Sequence, residues 1–280
     1  MSETTFFKNS FEKVKLLIDI GVNLSHKRFA NDTREVLTYA RENGVRKLVI
    51  TGTSIAESIR MIELLQKHSA EFPGMLYGTV GIHPHSASEF SNASLADLRS
   101  LSVHSNVVAI GETGLDFYRD LASREMQVRC FEAHLGLASE LGLPLFMHER
   151  EASSLQIDIL KNHRNNFNKG VIHCFTGDRK TLHQYLDMDL HIGVTGWVCD
   201  PRRGKPLQDL IAEIPLNRLM IETDSPYLLP RNMAFLPKDG RNEPSFLPWV
   251  VSGISACRTE SQSEIVKQTG QTATKFFGLH

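Results

Sequence analysis

Eight short apolar runs recur along the chain, each rich in β-branched residues and each ending in a polar or Gly-containing segment that leads into an amphipathic stretch. They are KLLIDIG (15–21), KLVITGT (47–53), LYGTVGIH (76–83), VVAIGE (107–112), PLFMHE (144–149), GVIHCF (170–175), LHIGVTG (190–196) and LMIETD (219–224). Runs of this kind, without strict alternation, suit parallel strands covered on both faces. The segments between them carry helix signals. Asp32-Thr-Arg-Glu35, Ser54-Ile-Ala-Glu57 and Ser261-Gln-Ser-Glu264 have capping-box spacing, and Ile55, Ile59 and Ile62 fall on one helical face, as do Phe131, Leu135 and Ala138. Eight strands alternating with helices predict an α/β fold closed as a (β/α)8 TIM barrel, in one domain over residues 1–280. An open doubly wound sheet is the alternative, but no Gly-rich dinucleotide or P-loop fingerprint follows any of the runs.

The chain has 280 residues, 41% hydrophobic and 22% charged, which is ordinary globular composition and ample for a buried core. Its formal net charge of −1 supplies no global field for polyanions, so any nucleic-acid contact must come from a local patch. Four scattered cysteines without a CxxC pair indicate reduced thiols rather than a disulfide framework. The N-terminus shows no uninterrupted apolar leader, Asp19 breaks its only apolar run, and nothing elsewhere approaches ~18 consecutive apolar residues. The expectation is a cytoplasmic protein with no membrane segment and no obligate protein partner.

In a parallel barrel, the C-terminal strand ends converge on one mouth. The predicted strands place Asp19, His83, Glu112, His148, His173 and Asp224 at or near such ends. Taken singly, each has a structural explanation as a hydrogen-bonded residue. Together, acids and imidazoles from several strands would be costly to desolvate without a cation among them. Glu112, His148, His173 and Asp224 are therefore the expected metal set, and mixed carboxylate and imidazole donors suit Mg, Mn or Zn. His83-Pro84-His85 has ligand-like spacing, but the intervening proline favours a phosphate contact or a supporting role for His83 and a loop position for His85.

The segments IDIGVN (18–23), GIHPH (81–85), IGETGLDF (110–117), MHER (147–150), IHCFTG (172–177), GVTGWVCD (193–200) and IETDSPYLLP (221–230), in this order, closely resemble the TatD family of metal-dependent deoxyribonucleases, amidohydrolase-like (β/α)8 enzymes. GVTGWVCD and the RNEP at 241–244 resemble the subgroup around TatD itself. The resemblance implies a Mg2+-dependent 3′–5′ exonuclease acting on single-stranded DNA or RNA, with Mn2+ or Zn2+ able to take the ion's place. It matches Glu112, His148 and His173 to the family's ligands, Asp224 to its strand-eight aspartate and His83 to its active-site histidine. One departure stands out. Most members carry an HxH pair on the first strand, whereas here Gly21 and Asn23 stand in its place, leaving Asp19 and Asn23 as weak first-strand metal contacts.

The expected reaction is hydrolysis of a terminal phosphodiester. Asp224 is the candidate to accept a proton from water, His83 and Arg150 to meet the phosphate, and Arg119, Arg202, Arg203 and Tyr227 to hold the single strand from the surrounding loops. Two other readings compete with it: hydrolysis of another ester or an amide on the same barrel, and a catalytically weak nucleic-acid-binding protein.

Overall fold

In the computed structural model residues 16–280 are described; the stretch 1–15, which holds most of the N-terminal segment considered above and Lys15 of the first run, lies outside them. Each of the eight runs overlaps a strand: β1 Leu17–Val22, β2 Val45–Ile50, β3 Leu76–Val80, β4 Val107–Asp116, β5 Leu145–Arg150, β6 Gly170–Ile172, β7 His191–Val194 and β8 Leu219–Ile221. They pair in parallel in sequence order, each with the next. The sheet returns on itself where Val22 bridges Ser225, Asn23 N–H donates to Ser225 O at 2.8 Å and Asp224 N–H donates to Gly21 O at 2.9 Å. The result is a (β/α)8 barrel.

The helices lie between the strands: α1 Thr33–Glu42, α2 Ile55–His68, α3 Asn92–Leu101, α4 Arg124–Leu141, α5 Ser153–Asn162, α6 Arg179–Asp187 and the single turn α7 Lys205–Gln208, followed after β8 by α8 Leu247–Ser255 and α9 Gln262–Phe277. No helix of the described residues is long and apolar enough to cross a membrane.

Three local expectations need adjusting. β4 runs four residues beyond Glu112, because Thr113–Asp116 continue to pair with Met147–Arg150 of β5. On α2 the buried face is Ser58, Met61, Leu65 and His68, while Ile59 is 44% exposed. The rotation follows from Gly78 on β3, which leaves a slot that the Met61 thioether fills. Ser54 and Ser261 do cap α2 and α9, but Asp32 makes no capping bond, since its carboxylate is taken by the Arg241 guanidinium. That same guanidinium also holds Glu243, and Asn242 donates to Thr223 O and Tyr227 O, so RNEP fastens the loop after β8.

The buried Phe131, Leu135 and Ala138 seat α4 on the barrel, and His134 beside them ties that helix to the end of β3. Its Nδ1 lies 2.7 Å from Cys130 O and must donate; its Nε2 accepts Ile82 N–H at 3.0 Å. Both bonds require the neutral ring, and burial lowers its pKa to about 4. The unfolded chain, with a His pKa of about 6.5, takes up this proton first as pH falls. The stabilisation is therefore complete above about pH 6.5 and is lost as pH falls toward 4. The stability difference between the parent and His134→Gln, read from urea midpoints, should narrow by on the order of 2 kcal/mol between pH 7 and about 4.5. A difference that stays constant over this range would show that the ring does not need to be neutral.

Candidate active site

A cavity of about 710 Å³ opens at the C-terminal mouth of the barrel, lined among others by Asn23, His83, Glu112, Asp116, His148, His173 and Asp224. The backbone fixes where these side chains start. Beyond or near their strand ends, His83 N–H donates to Thr53 O at 2.9 Å, Glu112 N–H to Gly52 O at 2.8 Å, His173 N–H to Met147 O at 2.9 Å and Asp224 N–H to Gly21 O at 2.9 Å. Glu112 within β4 and three residues just past β3, β6 and β8 are thus pinned to neighbouring strands or to the segment that follows β2, which is the rigidity that a reacting centre requires. Asp224 also has φ +51°, a left-handed conformation that costs a non-glycine residue energy and turns its carboxylate off the strand direction.

Glu112 is the hub. Its Oε1 lies 2.7 Å from His173 Nε2, 3.1 Å from His83 Nε2 and 3.2 Å from His148 Nδ1. Two further carboxylates stand behind the imidazoles. Asp116 Oδ2 meets His148 Nε2 at 3.2 Å and His85 Nε2 at 2.7 Å, and Glu222 Oε2 meets His173 Nδ1 at 3.3 Å. Glu222 is completely buried and also accepts the Cys174 N–H.

Electrostatics separates the three histidines. Burial disfavours charge on all of them, but His173 lies between Glu112 and Glu222, which raise its pKa well above the usual value, and Asp116 and Glu112 likewise raise that of His148. His83 lacks a second carboxylate, and burial brings it down to about 4. It is therefore neutral, and since its Nδ1 accepts His85 N–H at 3.1 Å, its proton sits on Nε2. Burial would raise the Glu112 pKa, yet the facing imidazoles hold it well below the carboxylate range. Asp224 has less help: burial raises it to about 7, resisted by His173 and by Asn23 Nδ2, which donates to Asp224 Oδ1 at 3.0 Å.

The donor set suits a divalent cation. Ligand atoms of His83, Glu112 and His148 lie within 4.8 Å of one another, and His173 Nε2 approaches Glu112 more closely still. His148 and His173 each have one nitrogen facing Glu112 and the other backed by a carboxylate, so a cation that displaced the inner proton would find a lone pair aimed at it while the outer N–H stays held. His83, with its Nε2–H, is a donor instead.

Of the other residues singled out in the sequence, Arg119, Arg150 and Tyr227 line the same cavity, with the Arg150 guanidinium 3.8 Å above the Tyr118 ring. Arg202 lies on neither this cavity nor its neighbour, and Arg203 faces the neighbouring one. Asp19 does not line the cavity: its oxygens accept Thr223 N–H and O–H at 2.9 and 2.6 Å and Gly21 N–H. Asn23 does line it, but its Oδ1 accepts the Thr51 hydroxyl at 2.8 Å and its amide serves Asp224. Glu222 and Asp116 do not stand out in the sequence, and His85, expected only as a loop residue, meets Asp116 Oδ2. For Asp116 a signal existed, since residues 112 and 116 share one face of an extended strand.

The family model for TatD-related DNases matches residues 18–278. A protein named 3′–5′ ssDNA/RNA exonuclease TatD from Erwinia tasmaniensis is 45% identical over 94% of this chain and all of its own length, and its namesake from Rahnella sp. is 44% identical over 94% of this chain and 98% of its own. Among solved structures, a TatD-family hydrolase from Entamoeba histolytica superposes with TM-score 0.86 at 28% identity, covering 95% of this chain and 99% of that one. A TatD homologue from Escherichia coli gives 0.84 at 27%, covering 94% and 98%. With its barrel, its imidazole–carboxylate centre and these similarities along nearly the whole sequence, the chain belongs to the TatD-related DNases, a family of metal-dependent nucleases that hydrolyse phosphodiester bonds.

Proposed function

We propose that this chain is a Mg2+-dependent exonuclease that removes nucleotides from the 3′ end of single-stranded DNA or RNA in the cytoplasm. The observation that carries the reading is Glu112, one carboxylate oxygen within 3.2 Å of three imidazole nitrogens, two of them from rings braced by a further acid. Glu112, His148 and His173 would hold the ion, with Asp224 at its side; Mn2+ or Zn2+ would fit the same donors. When bound, the ion polarises the phosphate and makes water more acidic.

The protein's own groups do the rest. Asp116 and Glu222 hold the His148 and His173 rings by their outer nitrogens, so that the inner lone pairs stay aimed at the ion. Asp224 accepts the proton of the attacking water, and the Asn23 amide keeps its carboxylate oriented. The Nε2–H of His83 donates to a phosphate oxygen, as does Arg150, whose guanidinium lies 3.8 Å over the Tyr118 ring. Arg119 and Tyr227 line the approach to the site. The names of the relatives support the substrate class, and the four free cysteines of the described residues are in keeping with a reducing compartment.

A 5′-labelled single-stranded oligonucleotide tests the reading. With Mg2+ it should shorten stepwise from its 3′ end; EDTA should stop the reaction and added Mg2+ restore it. A covalently closed single-stranded circle should resist. Cleavage of the circle, or hydrolysis unaffected by prolonged chelation, would overturn the proposal.

A further inference from the structure

Beside the catalytic cavity lies a second one of about 420 Å³, and the two share Trp197, Tyr227 and Leu228 as walls. Its charge is unlike that of the molecule as a whole. Arg28, Arg203, Arg231 and Lys238 line it against the single acid Asp200, in a chain whose net charge is −1. Asp200 is nearly buried and works as an organiser: its Oδ1 accepts the N–H groups of Arg202 and Arg203 at 2.8 and 3.0 Å, and the guanidiniums of Arg203 and Arg231 stand 3.6 and 3.9 Å from its Oδ2. One carboxylate cannot neutralise them all. Arg203 is further fixed 4.5 Å over the Trp197 ring. Arg28 is paired with Asp239, whereas Lys238 has no carboxylate within 4 Å among the described residues. The apolar surface is solvent-facing as well: Tyr227 is 50% exposed and Leu236 44%.

Partnered arginines and a lysine around a cavity large enough for a small ligand, with an exposed aromatic on the wall it shares with the reacting centre, have the features of a single-strand subsite. We infer that this second cavity binds the retained, 5′-ward part of the strand whose 3′ terminus occupies the catalytic cavity. The strand crosses the wall at Tyr227. The phosphates upstream of the scissile one are met by Arg203, Arg231 and Lys238, and a base lies against Tyr227 and Leu236. The inference rests on the exonuclease reading, because it needs a polymeric substrate entering by its 3′ end.

Such a subsite makes hydrolysis depend on strand length. A dinucleoside monophosphate offers only the scissile phosphate, whereas a ten-nucleotide strand also reaches the second cavity. For the parent protein kcat/KM should be higher for the longer substrate. In the double variant Arg231→Ala/Lys238→Ala that advantage should shrink roughly tenfold or more, mostly through KM. Hydrolysis of the dinucleoside by the same variant is the internal reference for its folding. Binding of a fluorescent single strand in EDTA, where no turnover occurs, gives the second measurement. Removing two phosphate contacts should flatten the dependence of log Kd on log salt by about 1.4. An unchanged length advantage together with an unchanged salt slope would overturn the subsite. If the parent hydrolyses no phosphodiester but the salt slope still flattens, the nuclease reading fails while strand binding at this cavity stands.

Discussion

Glu112→Gln is expected to lose phosphodiester hydrolysis by on the order of 10³-fold or more and to bind Mg2+ or Mn2+ far more weakly than the parent. The reason is charge rather than shape. The amide fills nearly the same space, but it removes the anionic oxygen toward which His83, His148 and His173 converge and which would itself ligate and neutralise the ion. It also places an NH2 group where a cation should sit. Asp224→Asn isolates a different step. Its oxygen is held by the Asn23 amide at the edge of the donor set, so the change should lower turnover by about 10²–10⁴-fold with a smaller loss of metal affinity. Calorimetric metal titration beside single-turnover kinetics separates the two variants. Parent-like metal binding by Glu112→Gln would remove it from the ligand set, and near-normal turnover by Asp224→Asn would remove it from proton transfer.

The barrel was legible in the sequence because a parallel strand buried on both faces leaves an apolar run that no other element explains, and eight such runs point to closure. What escaped was local. β4 looked complete at Glu112 because Gly111, Thr113 and Gly114 interrupt its apolar character, yet its pairing with β5 continues to Asp116. The buried face of α2 was set by an empty slot at Gly78, which no periodicity within the helix encodes. Strand-end positions were enough to gather His83, Glu112, His148, His173 and Asp224, since strand order fixes which loops share a mouth. Their division of labour was not legible. It depends on which ring nitrogen meets Asp116, Glu222 or the His85 amide, and those contacts join residues from different strands and loops. Asp19 shows the converse. At a strand end it reads like a ligand, but the return of β8 to β1 brings Thr223 onto both of its oxygens.

Gly21 is where the first strand departs from the HxH pattern, and the space left there is filled. A Cβ at Gly21 would lie 2.2 Å from Glu222 Oε2, and one at Gly193 would lie 2.7 Å from Glu222 Oε1. Two glycines on β1 and β7 thus make the slot that holds the carboxylate bracing His173. Restoring histidines at Gly21 and Asn23 would accordingly have to expel Glu222 before it could add a metal position. The smallest intrusion tests this. Gly21→Ala should destabilise the fold by about 1–3 kcal/mol through overpacking, and should weaken metal binding by about 10–100-fold as Glu222 shifts from the His173 ring. The cost should be coupled to the carboxylate: in a Glu222→Ala background the same Gly21→Ala change meets only the edge of the Phe146 ring, 3.3 Å away, so it should cost much less stability and leave the already weakened metal affinity where it is. Urea unfolding and metal titration of the two single variants and the double variant measure that coupling. If Gly21→Ala costs the same with Glu222 present as with it removed, the methyl and the carboxylate do not compete for one space, and the glycine has some other reason to be there.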